Sequence, residues 1–150
     1  MPSGQGTNPD PAKRSMLLTA LYIAQEQHGY LSPEAIQQIA ARLGLPASEV
    51  YSTATFYTMF DTVPTGQYVI QVCDGLSCHM AGGGEHLVDY ISQKLGIGVG
   101  ETTSDDLFTL RTVECLASCG TSPTVKINDD LYEDMTPDKI DRLLDQLAGS

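Results

Sequence analysis

The sequence is short of several features that define whole classes of protein. It has no tryptophan, and its eight lysine and arginine residues face nineteen aspartate and glutamate residues, for a formal net charge of −11. Because phosphate binding requires clustered basic side chains, this balance argues against nucleic acid as a partner. We expect an acidic globular protein, or a subunit that docks on a more basic one.

Segments that direct a chain to or across a membrane are also missing. The start, Met1-Pro-Ser-Gly-Gln-Gly, has neither the basic residues nor the apolar stretch of a secretory signal. No apolar run approaches the ~20 residues that cross a bilayer. We therefore expect a cytoplasmic protein without direct membrane insertion, whose membrane contact, if it has one, is made through a partner.

Cysteine is scarce, and its placement is the most informative feature of the chain. The four cysteines form two close pairs, Cys73-x4-Cys78 and Cys115-x3-Cys119, with 36 residues between the pairs. The absence of C-x-x-C argues against a thioredoxin-type dithiol enzyme and against covalently attached haem. Four thiols in a reducing compartment favour a metal site over disulfides.

The two pairs together supply a complete set of thiolate ligands. Two iron ions bridged by two sulfides need four terminal ligands, which four thiolates provide. Glycines at positions 75, 82–84 and 120 leave room for backbone N–H groups to approach the sulfur atoms. Structural zinc tolerates the same spacers but more often has two-residue ones. The residues favour a [2Fe–2S] cluster, with structural zinc and free or disulfide-bonded thiols as alternatives.

The first part of the chain has helical periodicity and ends at a predicted linker near residues 62–66. Three helices are predicted. The first starts around Ala12 to Met16 and ends near His28-Gly29, the second opens with Ser32-Pro33-Glu34, and the third starts around Pro46 to Ser48 and continues towards Phe56 and Tyr57. The corresponding boundaries are a flexible N-terminus over residues 1–13 and a helical bundle over residues 14–62.

The second part, residues 66–150, has the pattern of an α/β domain. Strands are predicted at residues 68–72 and 107–113, a helix at about residues 80–95, a hairpin about residues 128–130, and a final helix that opens with Thr136-Pro137. Each of the first two strands runs into a cysteine pair. If these strands are neighbours, their cysteine loops meet at one edge of the sheet.

With these features, the chain resembles a known family, the small [2Fe–2S] subunit of NADH dehydrogenases, which is the E-type subunit of bacterial respiratory complex I. The matching segments are Ala54-Thr-Phe-Tyr-Thr-Met-Phe60, Cys73-x4-Cys78-x3-Gly82, Glu114-Cys-Leu-Ala-Ser-Cys119 with Pro123, and Ile127-Asn-Asp-Asp-Leu-Tyr-Glu-Asp-Met135. The resemblance implies an N-terminal three-helix bundle followed by a thioredoxin-like [2Fe–2S] ferredoxin domain. It also makes Cys73, Cys78, Cys115 and Cys119 the cluster ligands.

The resemblance implies a function as well. The chain would be an electron-transfer subunit of NADH:quinone oxidoreductase, not catalytic alone, and would exchange single electrons with FMN in a flavoprotein partner that binds FMN and NADH. A larger iron–sulfur subunit is a second expected partner, and the complex would lie peripheral to the membrane. Ala81 stands where many relatives carry a basic residue, and His79 also departs from the pattern. These changes alter the expected surroundings of the cluster and leave its ligation intact.

Several alternatives to the complex I assignment stay open. The same module occurs in NAD-linked formate dehydrogenases and NAD-reducing hydrogenases. A freestanding thioredoxin-like ferredoxin would need no helical bundle, and a zinc-stabilised interaction module would have no redox role. The third predicted helix and the residues after it carry six large apolar side chains: Val50, Tyr51, Phe56, Tyr57, Met59 and Phe60. They cannot all fit one core face, so we expect some of them to contact a partner.

Overall fold

The computed structural model describes residues 10–150, which belong to two compact units divided between Pro64 and Thr65. The first unit contains α1 (Pro11–Ser15), α2 (Leu17–His28), α3 (Pro33–Leu43) and α4 (Ala47–Phe56). The second contains β1 (Tyr68–Cys73), α5 (Leu76–Met80), α6 (Glu85–Leu95), β2 (Phe108–Val113), β3 (Val125–Ile127), β4 (Asp130–Tyr132) and α7 (Pro137–Ala148). Within residues 10–150, no helix combines the length and apolar character needed to cross a bilayer.

Local signals set the ends of the helices in the first unit. Ser32 caps α3 by accepting a hydrogen bond from the Ala35 N–H at 3.1 Å, and Gly44 ends this helix with a φ of 64°. The helices pack around a small apolar core formed by Leu17, Leu21, Leu31, Ile36, Ile39, Ala40, Leu45, Val50, Ala54 and Phe60. The predicted bundle is thus present.

The start of the bundle differs from the prediction. A turn at Met16 divides the first predicted helix into α1 and α2, and the Asp10 carboxylate caps α1 by accepting from the Ala12 N–H at 3.0 Å. Of the N-terminus predicted to be flexible, residues 1–9 lie outside the described part of the chain, and residues 11–13 belong to α1.

A four-stranded sheet in the order β2-β1-β3-β4 forms the second unit. Strand β1 pairs in parallel with β2 and antiparallel with β3, and β3 pairs antiparallel with β4. Alternate side chains of the strands form one core with α6 and α7: Ile70, Val72, Phe108, Leu110, Val125 and Ile127 from the strands, and Leu87, Val88, Ile91, Ile140 and Leu144 from the helices. This is the predicted α/β domain.

The single helix predicted over residues 80–95 is wrong at its start. The structure has two helices there, α5 and α6, with a break at residues 81–84. Gly82 and Gly84 have φ values of 79° and 56°, a left-handed region that interrupts a helix and that glycine occupies without strain. The break lets α6 run along the sheet while α5 stays at the first cysteine pair.

We predict that truncation of Leu21 to alanine destabilises the helical unit by about 2–5 kcal/mol, because the side chain is 0% exposed in its core. The matched control is Leu18→Ala in the same helix, where the side chain is 43% exposed and we expect a loss below about 1 kcal/mol. Native-state hydrogen exchange of the α2 amides measures both. Equal losses in the two variants would contradict the described core.

Candidate metal centre

The parallel pairing of β1 and β2 brings the two cysteine loops to one edge of the sheet. Cys73 lies opposite Val113 in the register, and the Asp74 N–H donates to the Val113 carbonyl at 2.8 Å. Cys115 follows two residues after Val113. The start of β3 reaches the same edge, since the Cys73 N–H donates to the Thr124 carbonyl at 3.2 Å. The expectation that the two loops meet is therefore confirmed.

Backbone groups of both loops influence the thiol of Cys73. Burial raises the Cys73 pKa, and the backbone N–H groups of Gly75, in its own loop, and of Leu116, in the second loop, act to lower it. A Cβ at position 75 would lie 3.1 Å from the Glu114 carbonyl oxygen and 3.4 Å from the Cys73 Sγ. Glycine at 75 thus permits the close approach that the sequence analysis predicted.

Cys73 and Cys78 are both buried, and each influences the pKa of the other. They are 4% and 2% exposed. Burial raises the pKa of Cys73, as does its hydrogen bond to Cys78, in spite of the two N–H donors. Burial acts in the same direction on Cys78, but hydrogen bonding with Ser122, Cys73 and Thr124 outweighs it, so the pKa of Cys78 lies below its usual value.

Hydroxyl groups next to Cys78 are functional residues that the sequence analysis missed. The Ser122 Oγ lies 3.4 Å from the Cys78 Sγ and also donates to the Cys119 carbonyl at 3.0 Å. The Thr124 hydroxyl and backbone N–H also lower the Cys78 pKa. The available signal was the hydroxyl-rich stretch that follows the second cysteine pair, Thr-Ser-Pro-Thr at residues 121–124.

The second pair, Cys115 and Cys119, is exposed. The Cys115 Sγ accepts a hydrogen bond from the Ala117 N–H at 3.2 Å, and Cys119 opens a 3₁₀ turn that ends at Thr121. In the described residues, no three His, Cys, Asp or Glu side chains are placed together as a group that could hold a metal ion. The structure thus brings the two loops into contact at one edge of the sheet without gathering three of the thiols into one group in the described residues.

The donor set nevertheless fits a [2Fe–2S] cluster in its chemistry. Four thiols lie on two adjoining loops, and all four cysteines are free of disulfides. The Ala117 N–H donates to the Cys115 sulfur, and the backbone N–H groups of Gly75 and Leu116 act to lower the Cys73 pKa; such N–H groups stabilise the thiolate ligands of an iron–sulfur centre. The exposed side chains of the second loop are not held by core packing.

Histidine does not join this group. His79 is adjacent to Cys78 and exposed, and His28 and His86 are exposed on α2 and α6. The interpretation of His79 as a neighbour of the site is consistent with its exposure. The cysteines remain the donors on which the site depends.

Gly83 joins the two loops by direct packing. A Cβ on this residue would lie 2.3 Å from the Pro123 Cβ and 2.9 Å from the Cys78 carbonyl oxygen. The Gly83 N–H donates to that same carbonyl at 2.8 Å. The first loop is thereby held against the segment that follows the second cysteine pair, at a distance that only glycine allows.

The chain belongs to the thioredoxin-like [2Fe–2S] ferredoxin family, whose sequence pattern matches residues 5–148. It is therefore a [2Fe–2S] protein of the class that its fold and its cysteine loops define. The family resemblance inferred from the motifs is confirmed, and so is the fold class.

Curated relatives of similar length carry closely related names. The chain is 42% identical over 140 residues to the E 2 subunit of NADH-quinone oxidoreductase from Rhizobium meliloti, covering 93% of this chain and 83% of the relative. It is 42% identical to NADH-quinone oxidoreductase subunit 2 of Thermus thermophilus, covering 91% and 75%. It is 43% identical to the E subunit of NADH-quinone oxidoreductase from Rickettsia conorii, covering 94% and 84%.

Among solved structures, the chain is similar in fold to an NAD⁺-reducing [NiFe]-hydrogenase in the air-oxidized state. The TM-score is 0.77 at 23% sequence identity, and the match covers 87% of this chain. It spans only 23% of the hydrogenase chain, so the likeness concerns one part of a longer polypeptide.

We predict that Gly83→Ala destabilises the α/β unit by roughly 1–3 kcal/mol, because the new Cβ would overlap Pro123 and force the loops apart. Gly120→Ala is the matched control, since a Cβ there meets nothing within 4 Å; we expect a change within about 0.5 kcal/mol. Urea unfolding followed by circular dichroism measures the difference. A Gly83→Ala protein as stable as the control would contradict the described contact.

Proposed function

We propose that Cys73, Cys78, Cys115 and Cys119 together hold one [2Fe–2S] cluster. The observation that carries this proposal is the parallel pairing of β1 with β2, which sets Cys73 opposite Val113 and lets the Asp74 N–H donate to the Val113 carbonyl at 2.8 Å. The two cysteine pairs therefore lie on adjoining loops at one edge of the sheet, where one cluster would be held by both. Structural zinc, the alternative with the same donors, is weakened by the family to which the chain belongs.

The cluster supplies reversible uptake and release of a single electron when bound. The chain's own residues prepare that site in two ways. The Ala117 N–H donates to the Cys115 sulfur, and the backbone N–H groups of Gly75 and Leu116 act to lower the Cys73 pKa, so both loops favour thiolates. Burial of Cys73 and Cys78 keeps water from one half of the site, whereas the exposed second pair leaves the other half open to a partner.

The most fitting role is electron transfer within an NADH-oxidising complex, NADH:quinone oxidoreductase. Supporting this, relatives over 40% identical across nearly the whole chain carry that name. The expected donor is FMN in a flavoprotein partner that binds NADH, and a larger iron–sulfur subunit is a second expected neighbour. The complex would lie peripheral to the membrane. The corresponding part of an NAD-reducing hydrogenase or formate dehydrogenase is the second candidate role.

Exposed apolar side chains on the helical unit support a permanent partner. Four of the six residues expected to exceed one core are exposed, namely Tyr51, Phe56, Tyr57 and Met59, with Phe56 at 77%. The other two, Val50 and Phe60, are buried in the helical core. A freestanding carrier gains nothing from such a surface, whereas a docked subunit covers it.

We predict that Cys119→Ser removes the cluster and leaves the helical unit folded. Anaerobically purified wild-type protein should contain about two irons and two sulfides per chain, and the variant less than about half of that. The matched control is Ser77→Ala, which changes an exposed hydroxyl between Cys73 and Cys78 and keeps all four thiols. Full iron content and an unchanged visible spectrum in Cys119→Ser would remove this residue from the ligand set.

The complex is identified by co-purification from the native host under anaerobic conditions. We expect the chain to be isolated with an FMN-containing subunit, and the preparation to oxidise NADH with quinone. A preparation with hydrogenase or formate dehydrogenase activity and no quinone reduction would assign the second candidate role. Isolation of the chain alone, in high yield and with its cluster, would contradict the subunit role and favour a freestanding ferredoxin.

A further inference from the structure

The Glu133 carboxylate accepts hydrogen bonds from residues on both sides of Cys119. The Ser118 hydroxyl, one residue before this cysteine, donates to the Glu133 Oε1 at 2.8 Å, and the Thr121 hydroxyl, two residues after it, donates to the same oxygen at 2.7 Å. The two hydroxyl oxygens lie 2.7 Å apart. The 3₁₀ turn that carries Cys119 is thus bridged by two hydroxyl groups that share one carboxylate oxygen of Glu133.

The hairpin of β3 and β4 explains why Glu133 reaches this turn. Strand β3 starts at the cluster edge of the sheet, and β4 returns to that edge, with Tyr132 opposite Val125. The backbone that follows is tied to the second cysteine loop, because the Asp134 N–H donates to the Thr121 carbonyl at 2.8 Å. Glu133 therefore follows directly after β4, on a segment whose backbone is hydrogen-bonded to the second cysteine loop.

We propose that Glu133 is a positioning residue for the cluster: its carboxylate holds the Ser118–Thr121 turn so that Cys119 can ligate iron, and its negative charge opposes reduction of the cluster. This inference rests on the ligand assignment proposed above and goes beyond it. Cys115 and Cys119 are exposed and lack the packing that fixes Cys73 and Cys78. The hydrogen bonds of Glu133 with Ser118 and Thr121, which we call the clamp, hold the second cysteine loop in place, whereas core packing holds the first pair.

The negative charge of Glu133 would affect the reduction of a bound cluster. The hydroxyls of Thr121 and Ser118 hold the pKa of Glu133 below its usual value, so the side chain is an anion at neutral pH. Reduction adds one more negative charge to a cluster bound by four thiolates. A fixed carboxylate beside one ligand therefore favours the oxidised form, by an amount that solvent screening at this exposed position keeps modest.

The test separates the clamp from the charge with three variants of the full chain. Glu133→Gln removes the charge and keeps an oxygen acceptor. Ser118→Ala combined with Thr121→Val removes both donors and keeps the charge. Asp134→Asn is the matched control, because it removes one charge from the neighbouring residue, whose carboxylate has no hydrogen bond to the turn, and asparagine tolerates its φ of 48°.

Two quantities are measured anaerobically on each protein: the rate at which a chelator removes iron, and the ratio of reduced to oxidised cluster at a fixed ambient potential, read by electron paramagnetic resonance. We expect Glu133→Gln to raise that ratio roughly threefold, or about 28 mV at 59 mV per tenfold change in a one-electron couple. The double variant should lose iron at least about fivefold faster than wild type, with a ratio changed less than in Glu133→Gln.

The outcomes distinguish this inference from the ligand assignment. A wild-type protein without iron would overturn both. A wild-type protein with its cluster, a Glu133→Gln ratio equal to that of Asp134→Asn, and iron release from the double variant at the wild-type rate would overturn the role of Glu133 alone. If the double variant fails to accumulate, Thr121→Val by itself gives the same comparison with one of the two donors removed.

Discussion

Parallel pairing of β1 with β2 is the constraint on which the site depends. Parallel strands end at the same edge of a sheet, so a cysteine loop after each strand is carried to one place although 36 residues separate the pairs. The register sets Cys73 against Val113, which puts the second loop's backbone within reach of the Cys73 sulfur. The apolar core beneath α6 and α7 maintains that register, because a shift of one residue would turn Ile70 and Val72 out of it.

The two cysteine pairs are held in place by different kinds of interaction. Cys73 and Cys78 are fixed by burial and, for Cys73, by the backbone hydrogen bond from its N–H to the Thr124 carbonyl. Cys115 and Cys119 lie on the surface. Their positions are set by hydrogen bonds, because core packing does not reach them. An electron carrier benefits from this asymmetry, because electrons reach a partner only through the side of the site that is open. Gly83 against Pro123 joins the halves without occupying that side.

Sequence reasoning predicted the architecture, which depends on short-range patterns, and proposed the donors, which stay a prediction. Alternating apolar residues and the capping signals at Ser32 and Thr136 identify strands and helices locally, and two cysteine pairs define a donor set by count alone. The break between α5 and α6 was missed, although three consecutive glycines at residues 82–84 signalled it, two of which adopt positive φ. The contacts of Glu133 and Thr124 with the cysteine loops could not be predicted, because the return of the hairpin to the cluster edge is a long-range property.

The central claim is that one cluster is bound by all four cysteines. The most direct measurement is a crystal structure of anaerobically prepared protein, with anomalous diffraction recorded at the iron absorption edge. The account predicts two iron peaks between the two loops, with the sulfur atoms of Cys73, Cys78, Cys115 and Cys119 as the only protein ligands. An iron bound by any other side chain, such as His79, or a single zinc peak in that place, would contradict it.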